Sequence, residues 1–152
     1  DRLIPDIIRG IQNESNIKIR NPESTRPWQF VLDPIFGYIT LAEKMWNNGQ
    51  EFSQGWNFGP TQDEEKPVKW IIEYIKNHID KKMNLEMDMS IQPHEEKYLR
   101  LDCSKAISKL GWRSKMNLEK TMSWTLNWYT EYMKGNNMEE FTEKQIDEFM
   151  AV

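Results

Sequence analysis

The sequence has one cysteine, two histidines and seven glycines among its 152 residues, and each of these scarcities excludes a class of protein. Because Cys103 is alone, the chain cannot form an internal disulfide, and such a composition is typical of the reducing cytoplasm. His78 and His94, without any C-x-x-C pair, argue against a dedicated metal site. Cys103 stands at a predicted helix start, which could lower its pKa, but a small buried apolar role is the better interpretation.

Long apolar runs and clustered positive charge are also absent. No apolar run approaches the roughly 18 residues that a membrane span needs, and the first residues lack the pattern of a signal peptide. The net charge of −4 argues against nucleic acid, which needs concentrated positive charge. We therefore expect a cytoplasmic protein without nucleic-acid or membrane partners.

The glycines and tyrosines lack the spacing of a dinucleotide-dependent catalytic domain. No set of glycines fits G-x-G-x-x-G or G-x-x-G-x-x-G, so the chain has no dinucleotide phosphate loop. None of the five tyrosines is followed four residues later by lysine, so a helical Tyr/Lys acid–base pair is missing as well.

What is present predicts a helix-rich, mixed α/β domain that spans residues 1–152. Apolar periodicity and cap residues predict helices at about 2–11, 34–47, 67–79, 103–110 and 118–133, and a final helix from Thr142. The helix at 118–133 is expected to be the longest. Strands are predicted at 17–20, 28–31, 55–60 and 85–91. No strand is long enough to anchor a full sheet, which favours a small lobe that packs against a larger neighbour. The opening "DRLIPDIIRGI" has no initiator methionine and indicates a piece of a longer protein.

Three of these helix starts carry specific cap predictions. Asp33, followed by Pro34, is expected to cap the second helix, which is amphipathic and ends near 47–49. Asp102 is expected to cap the helix that Gly111 ends. Thr142 and Gln145 have the spacing of a capping box.

The candidate chemistry is anion binding. Arg2 lies in the first turn of a helix, where the dipole favours anions, while Arg20 ends a predicted strand and Arg26 follows the next turn. A guanidinium fork matches two phosphate oxygens, although for any single arginine a solvated surface charge is the better interpretation. In "PHEEKY", Glu95 and Tyr98 could hold sugar or ribose hydroxyls, or could cap neighbouring elements and face water.

Four stretches together carry a more specific signal. "NPESTRPWQFVLDPIFGYITLAEKMW", "QGWNFGP", "PHEEKYLRLDCSKAISKLGWR" and "NLEKTMSWTLNWY" resemble, in order and spacing, the C-terminal part of the CDP-glucose 4,6-dehydratases, a family of extended short-chain dehydrogenases/reductases. The resemblance runs over essentially the whole chain. It implies a substrate-binding lobe of helices and short strands, normally packed against an N-terminal Rossmann domain that carries NAD and the catalytic residues and is not in this chain.

The resemblance also implies roles for individual residues. Arg26 takes the position at which related enzymes place an arginine on the pyrophosphate; many relatives follow it with aspartate, and Pro27 matches the CDP-glucose branch. The helix start at Arg2, Leu3 and Ile4 would approach the nucleotide, and Ile19 and Arg20 would line the base. Glu95 and Tyr98 fall in a loop where relatives often use a second arginine, so their assignment as substrate contacts departs from the family pattern.

The implied activity is conversion of CDP-glucose to CDP-4-keto-6-deoxyglucose, for which this chain supplies binding and orientation and is inactive alone. The implied partners are a CDP-sugar and the N-terminal domain of the same protein, and a homo-oligomer stays open for the intact enzyme. Two alternatives are a non-catalytic interaction module with tryptophan-rich faces, since seven tryptophans are many for this length, and a related nucleotide-sugar epimerase or dehydratase.

Overall fold

The computed structural model describes residues 2–61, 64–88 and 96–152. Within these ranges the chain forms helices α1 (Leu3–Gln12), α2 (Leu32–Phe52), α3 (Val68–His78), α4 (Ser104–Leu110), α5 (Leu118–Met133) and α6 (Met138–Met150), and strands β1 (Ile17–Ile19), β2 (Thr25–Arg26), β3 (Lys66–Pro67) and β4 (Leu85–Met87). The helix-rich, mixed α/β prediction is confirmed.

The strands form two small pairs rather than one sheet. β1 pairs with β4 in parallel, with Ile17 opposite Leu85, and β2 pairs with β3 antiparallel, with Arg26 opposite Lys66. Because each pair is only two or three residues long, the helices supply most of the packing.

The main hydrophobic core joins α1, β1, α3 and α5. Its buried members are the apolar stripes of these elements, namely Ile7, Ile8, Ile11, Ile17, Ile19, Ile71, Ile72, Ile75, Ile79, Leu118, Met122 and Leu126. The helical spacing of isoleucines in α1 and α3 predicted these two faces.

A second core cluster contains the sole cysteine. Cys103 is buried with Phe52, Phe58 and Trp112, and its Sγ accepts a hydrogen bond from the Gly59 N–H at 3.1 Å. Burial raises the pKa of the Cys103 thiol, so the helix start does not lower it. The structural role expected for Cys103 is confirmed.

Asp33 has a different role from the predicted one. Helix α2 already begins at Leu32, and no side chain caps its first turn. The Asp33 carboxylate is fully buried and accepts hydrogen bonds from Ser114 Oγ at 2.8 Å and from the Lys115 N–H at 2.7 Å. The prediction of an Asp33 cap is therefore wrong, because a distant loop, rather than the helix's own N–H groups, satisfies this carboxylate.

Helix α2 also runs further than the stop signal indicated. Asn48 leaves helical geometry within the predicted stop at 47–49, but one more turn continues to Phe52. As a result α2, with 21 residues, is longer than α5, with 16, among the described helices, so the prediction for the longest helix is wrong.

The final helix starts earlier than predicted. Asn137 caps α6 by accepting from the N–H groups of Glu139 and Glu140, so the Thr142 capping box is wrong. Thr142 lies inside α6, where its hydroxyl accepts a hydrogen bond from Trp128 Nε1, and Gln145 Nε2 donates to the Trp124 carbonyl. Both side chains tie α6 to α5.

Two predicted strands do not form. Residues 28–31 and 55–60 have no strand pairing, and the extended pairing near the former falls on Thr25 and Arg26 instead. β4 forms at 85–87, but its three residues are exposed rather than half-buried.

The start and end of α4 agree with the prediction. Asp102 accepts a hydrogen bond from the Ser104 N–H at the start of α4, and Gly111 ends that helix in the left-handed conformation.

Gly10 allows α1 to approach β1 closely, which suggests a first test. A Cβ at Gly10 would lie 2.2 Å from Ile17 Cγ1, so Gly10→Ala forces the Ile17 side chain or the helix to move. We expect a loss of about 1–3 kcal/mol in the free energy of unfolding, measured by urea denaturation. Gly49→Ala is the control, because nothing lies within 4 Å of its added Cβ. Equal stabilities of the two variants would contradict this packing.

Candidate functional site

A cavity of about 710 Å³, called here the polar pocket, lies between α1, residues 13–21 and the start of β2. Arg9, Lys18, Arg20 and Arg26 line it, and Asp6 is the sole acid among its described lining residues. This is a local excess of positive charge in a chain whose net charge is −4. Such a concave cationic surface concentrates anionic ligands.

Arg26 is fixed in this pocket by the strand pairing around it. Its Nη1 donates hydrogen bonds to the carbonyls of Thr25 at 2.8 Å and of Glu96 at 3.0 Å. Since both bonds use one nitrogen and go to backbone oxygens on two different segments, they set the orientation of the guanidinium plane. A planar cation with five N–H donors suits a phosphate or diphosphate group.

Arg20 follows the end of β1 and is placed by the parallel pairing of β1 with β4. Its Nε lies 3.5 Å from the Asp88 carboxylate, and the Asp88 N–H donates to the Ile19 carbonyl at 2.9 Å. Asp88 thus holds Arg20 at the pocket edge while offsetting part of its charge.

The sequence reasoning missed two cationic residues of the pocket, Arg9 and Lys18. Arg9 forms an ion pair with Asp6 one turn earlier on α1. Lys18 is exposed between the buried Ile17 and Ile19. The alternation of apolar and polar residues in β1 could have indicated Lys18, because it places this side chain on the face opposite the core.

The predicted helix-start residues divide between two cavities. Leu3 lines the polar pocket, and Arg2, Leu3 and Ile4 line a second, mainly apolar cavity of about 710 Å³, called here the apolar groove. Its remaining walls are formed by Pro5, residues 27–32, Pro34 and the facing sides of α5 and α6. Leu3 and Trp28 are common to both cavities, so the two are adjacent.

The other predicted residues lie in three different environments. The side chain of Ile19 is 2% exposed and packs in the main core. Tyr98 is exposed beside β2: the Thr25 N–H donates to the Lys97 carbonyl, and the Leu99 N–H donates to the Thr25 carbonyl. Glu95 lies outside the described residues. The structure therefore brings Leu3, Arg20 and Arg26 together in the polar pocket and places Tyr98 on the segment that also anchors Arg26.

In the described ranges, no three His, Cys, Asp or Glu side chains are grouped closely enough to hold a metal ion. None of the described helices is long and apolar enough to cross a bilayer. What the arrangement offers chemically is an oriented guanidinium, further cations and an apolar shelf from Leu3 and Trp28, which together suit an anion attached to a flat or apolar group.

No protein-family model matches the chain. A curated CDP-glucose 4,6-dehydratase from Salmonella typhimurium strain LT2 is 39% identical over 151 residues, which are 99% of this chain and 42% of that protein. The resemblance indicated by the sequence motifs is thereby confirmed, and the chain spans about two fifths of the length of this relative.

Solved structures show the same fold. A UDP-glucuronic acid 4-epimerase from Bacillus cereus in complex with NAD matches with a TM-score of 0.68 and 17% identity, over 89% of this chain and 40% of that one. A dTDP-glucose 4,6-dehydratase from Bacillus anthracis in complex with NAD matches with a TM-score of 0.65 and 17% identity, over 86% and 39%.

Proposed function

We propose that this chain, which is similar over 99% of its length to part of a CDP-glucose 4,6-dehydratase, is the nucleotide-sugar-binding portion of such an enzyme. Residues 1–152 would form the C-terminal substrate domain of a cytoplasmic protein, and the N-terminal portion would bind NAD. The intact enzyme would convert CDP-glucose to CDP-4-keto-6-deoxyglucose, and this chain alone would not turn over substrate.

The observation that carries the proposal is the polar pocket around Arg26 in a chain with this similarity. Arg26 has a fixed guanidinium orientation, and Arg9, Lys18 and Arg20 add positive charge around the same cavity. A nucleotide sugar carries a diphosphate, so this is the charge pattern that its central group requires.

The described residues suggest a division of roles. Arg26 would bind the pyrophosphate, while Arg20 and the β1 backbone next to Ile19 would contact the base. Leu3, with Arg2 and Ile4 beside it at the start of α1, would supply an apolar contact to the nucleoside. Tyr98, and Glu95 in the adjoining segment, would lie toward the sugar.

The reaction is redox-neutral overall. NAD, held outside this chain, would supply the acceptor for the hydride from C4 and return that hydride to C6, while water leaves across C5–C6. The residues of this chain would lower the barrier by holding the sugar in one position, since oriented binding removes much of the entropic cost of the chemical steps.

The related epimerase activity is a second candidate, because the solved UDP-glucuronic acid 4-epimerase has the same fold over 89% of this chain. The tryptophan-rich interaction module has less support. Six of the seven tryptophans are buried or partly buried, and Trp46 alone, among all seven, is largely exposed.

The test begins with the DNA upstream of the Asp1 codon, which should encode an NAD-binding fold. The complete polypeptide is then incubated with NAD and, separately, with CDP-glucose, dTDP-glucose and UDP-glucuronic acid, and the products are separated by chromatography and weighed by mass spectrometry. We expect CDP-glucose to lose one water with the complete polypeptide and no change with this chain alone. Isomerisation of UDP-glucuronic acid without loss of mass would instead establish an epimerase and overturn the proposal.

A further inference from the structure

The polar pocket contains a side-chain pair that the proposed division of roles leaves unused, Asp6 and Arg9 on α1. The two residues are one helical turn apart, and Arg9 Nη2 donates a hydrogen bond to Asp6 Oδ1 within an ion pair. Both residues line the polar pocket, so a ligand there meets the carboxylate and the guanidinium together. Such a pair can recognise the edge of a ligand that carries a donor beside acceptors.

Helix stability alone does not explain this pair. The Asp6 side chain is 41% exposed and the Arg9 side chain is 60% exposed. Exposed ion pairs contribute little to stability, because water screens the charges and the two side chains lose entropy. The same exposure leaves hydrogen-bonding capacity for a ligand, since a carboxylate has about four acceptor sites and a guanidinium has five donors.

Asp6 is the exception on an otherwise cationic surface. Lys18, Arg20 and Arg26 surround the same cavity, and Asp6 is the sole acid among its described lining residues. A carboxylate repels a diphosphate, so it is favourable in this pocket only where it faces a hydrogen-bond donor of the ligand. On a nucleotide sugar, the available donors are the hydroxyl groups and, on some bases, an exocyclic amine.

The adjoining guanidinium favours the base over the hydroxyl groups. A pair of hydroxyl groups can be held by the carboxylate alone and gives Arg9 no role. Cytosine uses both members of the pair: its N4 amine is a donor of the kind that Asp and Glu accept from, and its N3 and O2 are neighbouring acceptors that suit the two parallel N–H groups of a guanidinium.

We propose that the Asp6–Arg9 pair recognises the edge of the cytosine base and so selects a cytidine nucleotide over uridine and thymidine nucleotides. This inference rests on the proposed function. Uracil and thymine have an oxygen in place of the amine and a proton on N3. An oxygen would then face the Asp6 carboxylate, and an N–H would face the Arg9 guanidinium. Selection therefore comes from repulsion of the wrong base as well as from attraction of the right one.

The position of the pair along α1 agrees with the other proposed contacts to the nucleoside. Leu3 lies one turn before Asp6 and lines the same cavity. On the other side of the pair, Gly10 is packed against Ile17 of β1, the strand that Arg20 follows. The pair thus lies between the residue expected to contact the nucleoside and the strand expected to contact the base. The cavity of about 710 Å³ is in the size range of small-molecule sites.

Equilibrium binding of CDP and of UDP to the complete polypeptide, measured by isothermal titration calorimetry, tests the pair without turnover. The two ligands have the same ribose and diphosphate and differ only on the recognised edge of the base, so the ratio of their Kd values isolates that edge. We expect the wild type to bind CDP roughly 5- to 150-fold more tightly than UDP, the discrimination that a good pair of contacts to a base provides.

Three variants assign this discrimination to the pair. Asp6→Asn keeps the shape of the side chain but offers an N–H to the O4 of uracil, so the preference for CDP should fall by at least about fivefold. Arg9→Met removes the donor to N3 and should weaken CDP binding more than UDP binding. Asp80→Asn makes the matched change at an exposed aspartate that lines neither cavity and should keep the wild-type ratio. Circular dichroism checks that each variant is folded.

An unchanged ratio in Asp6→Asn would overturn the inference, because Asp6 would then act on the ribose or only on the dipole of α1. Equal weakening of both ligands by Arg9→Met would also overturn it, by placing Arg9 on the diphosphate. So would a wild type that binds CDP and UDP equally. A complete polypeptide that prefers CDP through Asp6 but dehydrates none of the nucleotide sugars would instead refute the proposed function and leave the base-recognising pair standing.

Discussion

Replacing Arg26 with alanine in the complete enzyme should raise the KM for CDP-glucose by roughly 10- to 150-fold, which corresponds to the loss of about 1.5–3 kcal/mol from charge-assisted hydrogen bonds. The orientation of Arg26 depends on the Thr25 and Glu96 carbonyls, at 2.8 and 3.0 Å, so the group is prepositioned before the substrate arrives. Steady-state kinetics that separate kcat from KM provide the measurement.

Two companion variants make the Arg26 result interpretable. Arg26→Lys keeps the charge but removes the fork, so its KM should lie between those of the wild type and the alanine variant. Arg113→Ala removes an exposed arginine that lines neither cavity and should leave KM unchanged. Thermal unfolding identifies any variant that loses substrate binding only because it is misfolded. A wild-type KM for Arg26→Ala would remove this residue from the site.

Replacing Asp33 with alanine should lower the free energy of unfolding by about 2–5 kcal/mol, since two half-buried donors, the Ser114 hydroxyl and the Lys115 N–H, would each lose a hydrogen bond to this fully buried carboxylate. That loss is a large part of the 5–15 kcal/mol that stabilises a typical domain. The Trp112 indole N–H also donates to the Asp33 carbonyl at 3.3 Å, so this residue joins the start of α2 to the loop before α5. Guanidinium-induced unfolding followed by circular dichroism measures the change.

The Asp33 prediction distinguishes a buried acceptor from a helix cap. Asp33→Asn retains one oxygen for the Lys115 N–H and should cost less than Asp33→Ala. Asp80→Ala removes an exposed aspartate and should change stability by less than about 0.5 kcal/mol. If Asp33→Ala were as mild as Asp80→Ala, the carboxylate would not be the acceptor that connects these two segments.

The positions of the helices could largely be predicted from the sequence, because each helix is specified by residues that are neighbours along the chain. The isoleucine spacing of α1 and α3 and the turn chemistry around Asp102 and Gly111 are local signals, and the structure has these elements where they were predicted. The errors at Asp33 and Thr142 have a common cause. Both side chains found partners far along the chain or on another helix, and a cap rule considers only the nearest N–H groups.

Part of the candidate site could likewise be predicted from local sequence signals. Arg20 and Arg26 stand next to recognisable strand and turn signals, and the pocket contains both. Arg9 and Lys18 were missed because their membership in the pocket depends on α1 packing beside β1, so closely that a Cβ at position 10 would overlap Ile17. Ile19 is buried in the core, and this burial likewise depends on which face of the three-residue strand β1 packs against the helices.

The sequence by itself determined the helical periods, the scarcity of metal ligands, the missing dinucleotide loop and the resemblance of the ordered motifs to one enzyme family, because all of these are properties of residue identity and spacing. Only the tertiary structure decided which cations share a cavity, that Asp33 is an internal acceptor and that Ile39 and Trp46 of α2 face outward. These outcomes depend on contacts between residues tens of positions apart, and such contacts are set by packing and burial, which no local pattern encodes.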